Sequence, residues 1–308
     1  MRIIKMGLYS NRVYTNPMCA CIGYFDGMHK GHQVLIQKTI EMAKRKHCES
    51  ALITFDPDPW VTIKHVKDVK HITTMRERLN RAVEYGIQNI IILDFSSDFA
   101  KLSPEDFVQQ ILSKISLKGL ICGFDFHYGF MGKGSAETLQ QTEGLEVEVV
   151  QPIEDEQGKI SSTRITQCIE DGKMEDAAEM LGYSFRISGL VVHGRHQGNA
   201  IGFPTANIHY DPEYILPKSG VYAGFVIIQN KKYGAMINLG HNPTFNYRND
   251  LSLEAHIINF NQTIYGKHIS IEFIRFIRDE KRFSSKGNLI MQLEQDIIST
   301  KKILKEYE

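Results

Sequence analysis

Up to Pro152 the chain alternates short apolar runs with helical patterns, whereas beyond Tyr183 the runs follow one another with only turns between them. In the first half the apolar runs are Met18–Ile22, Ala51–Phe55, Asn89–Phe95, Gly119–Gly123 and Leu145–Val150. Between them Gly31–His47, Thr73–Tyr85 and Ser103–Ile115 repeat apolar residues at three- and four-residue steps, which predicts helices. Met75, Leu79, Ala82 and Val83 make one stripe; Phe107, Val108, Ile111, Leu112 and Ile115 make another. Ser103-Pro104-Glu105-Asp106 reads as an N-cap, a proline at the first helical position and an acidic first turn. Strands separated by helices predict parallel strands joined by right-handed crossovers, hence an open α/β sheet.

The second half predicts something else. Phe185–Val192, Gly220–Gln229, Tyr233–Leu239, Leu251–Ile258 and His268–Ile277 are strand-like and are separated by turns such as Gln229-Asn230-Lys231-Lys232 and Tyr265-Gly266-Lys267. Several strands without intervening helices suggest a small closed antiparallel β-barrel, which leaves no exposed edge. Leu289, Leu293, Ile297 and Leu304 repeat at helical steps and predict a terminal helix across that barrel. Arg164 to Leu181 reads as two short helices broken at Asp171-Gly172, and Gly182 ends the pattern. A chain of 308 residues exceeds what one core usually supports. The expected domains are therefore 1–182 and 183–308.

Bulk composition excludes more than it selects. Lys+Arg and Asp+Glu number 36 each, so no net charge draws the chain to nucleic acid or to a membrane surface. The five cysteines are odd in number and form no CxxC pair, which speaks against a disulfide framework or a zinc site. Cys19 and Cys21 alternate within an apolar run, as two small hydrophobes on one face of a strand. No apolar run approaches membrane-spanning length and the first residues lack a signal-like core, so a reduced, cytoplasmic setting is expected.

The chemistry concentrates in the loops that follow the strands, where open α/β sheets hold their ligands. Gly23-Tyr24-Phe25-Asp26-Gly27-Met28-His29-Lys30-Gly31-His32 follows the first run. Its two histidines, three positions apart at a helix start, point the same way among backbone N–H groups that have no intrahelical partner. Such a cradle suits anionic oxygens, a nucleotide phosphate above all, and Gly27 and Gly31 let the backbone approach. Phe55-Asp56-Pro57-Asp58-Pro59-Trp60 follows the second run, its prolines predicting an extended, rigid loop. Gly123-Phe124-Asp125-Phe126 follows the fourth run, and Ile160-Ser161-Ser162-Thr163-Arg164 follows the fifth and opens a helix.

As a set these four segments resemble the FMN adenylyltransferase branch of the HxGH nucleotidyltransferases. The resemblance covers about the first 170 residues and implies a Rossmann-like nucleotidyltransferase domain that joins FMN and ATP into FAD and pyrophosphate. It implies that His29, His32 and Arg164 act on the ATP phosphates, with Gly23, Phe25, Asp26, Gly27, Gly31, Ser161, Ser162 and Thr163 lining the nucleotide. Asp26 would orient the triphosphate or its Mg²⁺. Phe55, Pro57, Pro59, Asp125 and Phe126 would face the flavin. Phe124 stands where that family usually has a small or polar residue.

In the second half Gly189–Gly194 and Gly198–Asn207 are glycine-rich loops able to aim backbone amides at phosphates. Thr205 and Asn207 offer hard oxygen donors of the kind Mg²⁺ takes, and serve equally as capping groups of a turn. Glu254 and His256 fall on the face of a strand opposite Leu253, Ala255 and Ile257. The run Gly202-Phe203-Pro204-Thr205-Ala206-Asn207, with Ser219–Gly224, Asn238-Leu239-Gly240 and Leu253–His256, resembles riboflavin kinase. That implies Glu254 as the base for the riboflavin hydroxyl, Thr205 and Asn207 as holders of Mg²⁺, and Gly194, Gly202 and Pro204 along the ATP phosphates. Together the halves resemble the bacterial bifunctional riboflavin kinase and FAD synthetase family, with ATP, riboflavin and FMN as small-molecule partners and neither nucleic acid nor membrane. The family commonly has arginine where Asn199 stands and again near Asn242, so the alternative is an FAD synthetase with a weak or inactive kinase half. Lys218, His193 and Arg195 are the candidates to compensate.

Overall fold

The structure, a computed structural model, describes residues 2–11, 13–194, 201–241 and 251–307. The chain divides into two compact units, Met1–Ser162 and Thr163–Glu308.

The first unit is built on six parallel strands: β1 (Arg2–Met6), β2 (Tyr14–Ile22), β3 (Glu49–Asp56), β4 (Asn89–Asp94), β5 (Ile115–Gly123) and β6 (Glu146–Val150). They lie in the order β1-β4-β3-β2-β5-β6. Helices α1 (Lys30–Arg45), α2 (Pro59–Lys64), α3 (Met75–Glu84), α4 (Pro104–Gln110) and α5 (Ala136–Gln140) accompany them. Both faces of the sheet are covered, which is why its strands read as unbroken apolar runs. Met18, Ala20 and Ile22 enter the core on one face, and Cys19 and Cys21 the core on the other. β1 was absent from the expected set: it is short, and of its residues only Ile4 and Met6 are buried. The helix expected over Ser103–Ile115 is also cut short. The α-helix ends at its C-cap Ile111, a single 3₁₀ turn spans Leu112–Lys114, and Ile115 already pairs in β5. From β2 the chain steps outward to β3 and β4, then returns to place β5 and β6 on the other side. The order reverses between β2 and β5, so their carboxyl ends open the crevice where such sheets bind ligands.

In the second unit α6 (Ser162–Glu170) and α7 (Met174–Leu181) precede the barrel, and α7 buries Met174, Ala177, Met180 and Leu181. Compactness thus divides the chain after Ser162, the first residue of α6, while the hydrophobic period changes only after α7. Arg275 joins Glu175 of α7 to Glu306 near the chain end, at 2.7 and 3.0 Å. The barrel comprises β7 (Arg186–Val192), β8 (Ala206–Tyr210), β9 (Gly220–Ile228), β10 (Lys231–His241), β11 (Leu251–Ile257) and β12 (His268–Arg278). It closes antiparallel in the order β7-β8-β11-β10-β9-β12. β8 was not predicted, because only Ile208 of its five residues is buried and the alternation is too brief to register.

The terminal helix α8 (Lys286–Leu304) starts at Ser285, whose hydroxyl accepts the Asn288 N–H at 3.2 Å. Its buried residues are Asp296, Thr300 and Leu304, a more polar line than the leucine repeat predicted. Asp296, 1% exposed, receives Arg278 Nε at 3.0 Å and Nη2 at 2.7 Å, and the Gln292 amide at 2.8 Å. Among the described residues no helix is long and apolar enough to cross a membrane. Removing one partner of a buried ion pair strands the other, so Asp296→Ala should lower the stability of this unit by about 3 kcal/mol. Scanning calorimetry would read that as a lower midpoint; an unmoved midpoint would show that α8 is held by its apolar contacts alone.

Candidate active sites

The turn after β2 starts where the Gly23 N–H meets the Ile53 carbonyl at 3.1 Å. Phe25, Gly27 and Met28 then take positive φ values of 62°, 74° and 42°. At Gly27 a side chain would be strained by that φ, and its Cβ would stand 3.0 Å from Ile72 Cδ1. Phe25 is 1% exposed, so its ring packs in the core and sets its edge against His32 at 5.2 Å. His29 occupies the N-cap position of α1 and His32 its first turn. Their rings stack with centroids 3.7 Å apart, as the spacing predicted. A Cβ at Gly31 would come within 3.1 Å of His29 Cε1.

Nδ1 of both rings is buried with no hydrogen-bond partner. An unsatisfied buried nitrogen is costly unless something else supplies the partner. Burial pushes the His29 imidazole down to about 4; the Asp26 carboxylate works against that shift and Lys159 reinforces it. His32 is pushed well below the usual histidine range, first by burial and then by His29, Arg78 and Lys159. Both rings are therefore neutral at pH 7.

Asp26 corrects one expectation. Its Oδ1 accepts the Thr73 N–H and hydroxyl, each at 3.0 Å, and its Oδ2 accepts the Ile72 N–H at 3.1 Å. Those oxygens fasten the turn to the start of α3 and are not directed at a metal. The Gly27 N–H adds a bond to Thr73 Oγ1 at 2.9 Å. The Ser162 hydroxyl donates to the Asp26 carbonyl at 3.1 Å, tying the Ile160–Thr163 segment to the same turn. Tyr24, His71, Thr73 and Arg78 complete this cluster. Nothing local marks these residues as partners, since Asp26 and Thr73 lie 47 residues apart.

The other loops fall as follows. Pro59 is not in an extended loop: it is the first residue of α2, with Asp58 as N-cap accepting the Trp60 N–H at 2.7 Å, a position where a missing proline N–H is harmless. Pro57 follows a cis peptide. Phe55 is buried, edge-on to Phe95 at 5.7 Å. Phe126 is half-buried and stacks on Tyr128, while exposed Asp125 is ion-paired to Lys159. Lys159 Nζ also lies 4.6 Å over the exposed Phe124 ring. Ser161 precedes α6, and Ser162, Thr163 and Arg164 form its first turn.

In the barrel, register aligns the second group. Asn207 of β8 and Asn238 of β10 both pair with Glu254 of β11. Leu253, Ala255 and Ile257 are buried while Glu254 and His256 lie on the opposite, partly open face. The Thr205 hydroxyl donates to Glu254 Oε2 at 3.1 Å, and His256 Nδ1 lies 2.8 Å from the Pro204 carbonyl. At Gly194 a Cβ would sit 2.2 Å from Asn207 Nδ2, so only glycine leaves that amide its place. Gly202 is exposed with φ 85°. Lys218 pairs with Asp279 at 2.6 Å, and His193 stacks on Tyr265 at 3.9 Å. Arg195, Asn199 and Asn242 lie outside the described residues. A hydroxyl, an amide and a carboxylate held together are hard oxygen donors, and this set fits Mg²⁺, which takes few protein ligands alongside substrate phosphates.

Two family models match the chain: FAD synthetase over residues 12–164 and riboflavin kinase over residues 181–304. A bifunctional riboflavin kinase/FMN adenylyltransferase from Listeria monocytogenes is 35% identical, across 93% of this chain and 92% of that protein. The protein of the same description from Escherichia coli K12 is 32% identical, across 91% and 90%. Among solved structures, the crystal structure of a macrolide-efflux protein from Streptococcus pneumoniae matches with a TM-score of 0.90 at 35% identity, covering 97% of this chain and 99% of that one.

The depressed His29 value carries a pH consequence. Folding keeps the ring neutral where the unfolded chain would protonate it. The stability this contributes is complete above its ordinary value of 6.5 and is lost as pH falls toward about 4. Over that window the loss should approach about 3 kcal/mol. An NMR titration should find the His29 midpoint near its depressed value; a midpoint at the ordinary value would show a solvated ring.

Proposed function

Because the chain belongs to the bifunctional riboflavin kinase/FMN adenylyltransferase family, we propose that its two reactions are divided between the imidazole turn of residues 1–182 and the outward barrel face of residues 183–308. Riboflavin is phosphorylated by ATP to FMN, and FMN is adenylylated by ATP to FAD with release of pyrophosphate. The observation that carries this division is the pair of stacked, neutral imidazoles at the start of α1, beside the rim of the parallel sheet. A kinase half weakened by Asn199 and Asn242 is not favoured: the riboflavin kinase model matches residues 181–304, and the relatives carry both activities in their description.

For adenylyl transfer, an oxygen of the FMN phosphate attacks the α-phosphorus of ATP, and the bond to the β-phosphate oxygen breaks. His29 and His32 donate hydrogen bonds to the phosphate oxygens as negative charge moves onto the bridging one. Neutral rings suit that task, because both can stand close together and neither needs a counter-ion. Arg164 grips phosphate as a bidentate guanidinium, with Ser161 and Thr163 flanking it along the nucleotide. Asp26 and Ser162 act by holding the turn in shape. Phe55, Pro57, Pro59, Asp125 and Phe126 shape the flavin side.

For phosphorylation, Glu254 takes the proton of the ribityl 5′-hydroxyl as that oxygen attacks the γ-phosphorus, and ADP leaves. Thr205 and Asn207 would hold Mg²⁺, which supplies charge neutralisation to the phosphates when bound. The Thr205 hydroxyl keeps the Glu254 carboxylate oriented, and Gly194 and Gly202 leave backbone amides open to the phosphates. The substrates and the free thiols fit a cytoplasmic enzyme.

Separate sites predict separable losses. With riboflavin and Mg-ATP, His32→Ala should accumulate FMN and make no FAD, a drop of about a hundredfold or more in adenylylation. Glu254→Gln should convert supplied FMN to FAD while leaving riboflavin untouched. Chromatography of the flavins reads both. Loss of both products in either folded variant would refute the division.

A further inference from the structure

Arg78 of α3 is the largest fully buried side chain among the described residues, at 1% exposed. Its guanidinium lies over the Tyr24 ring with Cζ 4.1 Å from the centroid. Nη2 reaches the Thr73 carbonyl at 3.5 Å and stands 3.8 Å from Asp26 Oδ1. Nε and Nη1 are sealed from solvent without a hydrogen-bond partner. Tyr24 also meets His71, whose Nε2 is 3.3 Å from the Tyr24 hydroxyl and whose Nδ1 and Nε2 lie 3.9 Å from Asp26 Oδ2 and Asp58 Oδ2 respectively.

A cation so placed is a poor way to fill space. Its nearest carboxylate, Asp26, is already shared among two backbone N–H groups and a hydroxyl, and two of its own donors are unmet. A well-packed apolar side chain would commonly be no less stable. What Arg78 adds is charge in a low-dielectric setting directly behind the turn that presents the histidines. We propose that Arg78 is a positioning residue for adenylyl transfer, clamping Tyr24 and Asp26 behind the His29–His32 turn and lending that turn a buried positive charge. This rests on the reading of the imidazole pair as the adenylyl-transfer centre.

The charged and titratable groups that act on His32 are His29, Arg78 and Lys159, and all of them disfavour its protonation. Without Arg78 the ring would take a proton at a higher pH. If the neutral ring is the active form, the acid limb of the pH profile moves up.

The test uses the full chain and follows FAD formation from FMN across pH, with FMN formation from riboflavin as a check on integrity. Arg78→Met and Arg78→Gln remove the charge; the glutamine variant can keep the bond to Thr73 and is read if the methionine variant does not fold. Arg78→Lys keeps the charge. The charge-removing variants should lose kcat for FAD formation by about tenfold or more, with riboflavin phosphorylation unchanged and the acid limb displaced upward. Arg78→Lys should restore most of the rate and the limb. Unchanged kcat overturns the proposal, and so does an equal loss in Arg78→Lys with the limb unmoved, which would mark a packing role. His32→Ala run alongside separates the two ideas: if that variant makes FAD at the native rate, the site reading itself fails.

Discussion

Two imidazoles stacked at 3.7 Å repel one another once both are cationic, and burial keeps each ring in its neutral form. Much of the first unit serves that condition. Phe25 gives up an exposed position to set its edge on His32, and the positive φ values of residues 25, 27 and 28 fold the turn tightly enough to bury His29. Asp26 fastens the turn to α3 by three hydrogen bonds, so the pair is held from a neighbouring element and not by its own helix alone. The sheet order then places this turn at the mouth between β2 and β5, where the strand order reverses.

The barrel reaches a similar end by different means. Among the described residues no helix terminus supplies donors there. Instead, antiparallel register sets Asn207, Glu254 and Asn238 side by side on three adjacent strands, and the two-residue period of a strand turns them all away from the core. Because register comes from backbone pairing, a polar line of this kind is as rigid as the barrel itself. The glycine at 194 shows how little slack remains, since any side chain would displace the Asn207 amide.

The parts legible in the chain were those governed by short-range periodicity. The alternation of strand and helix predicted the parallel sheet, the change of period predicted the barrel, and the i, i+3 spacing predicted that His29 and His32 would meet. The face of Glu254 followed from strand alternation. Elements too short to show a period escaped notice: β1, β8 and α2 each have few buried residues, and Pro59 read as loop chemistry when it was in fact helix-initiating.

The residues by themselves thus determined which groups are available and which of them lie on one face, since local backbone geometry settles both. Only the tertiary structure decided what those groups are doing. It committed Asp26 to Ile72 and Thr73, brought Arg78 beneath Tyr24, and set Thr205 against Glu254 across 49 residues. Such pairings arise from strand order and from burial, and burial is also what makes both histidines neutral. Desolvation is a property of the packed molecule, and no stretch of the chain carries it alone.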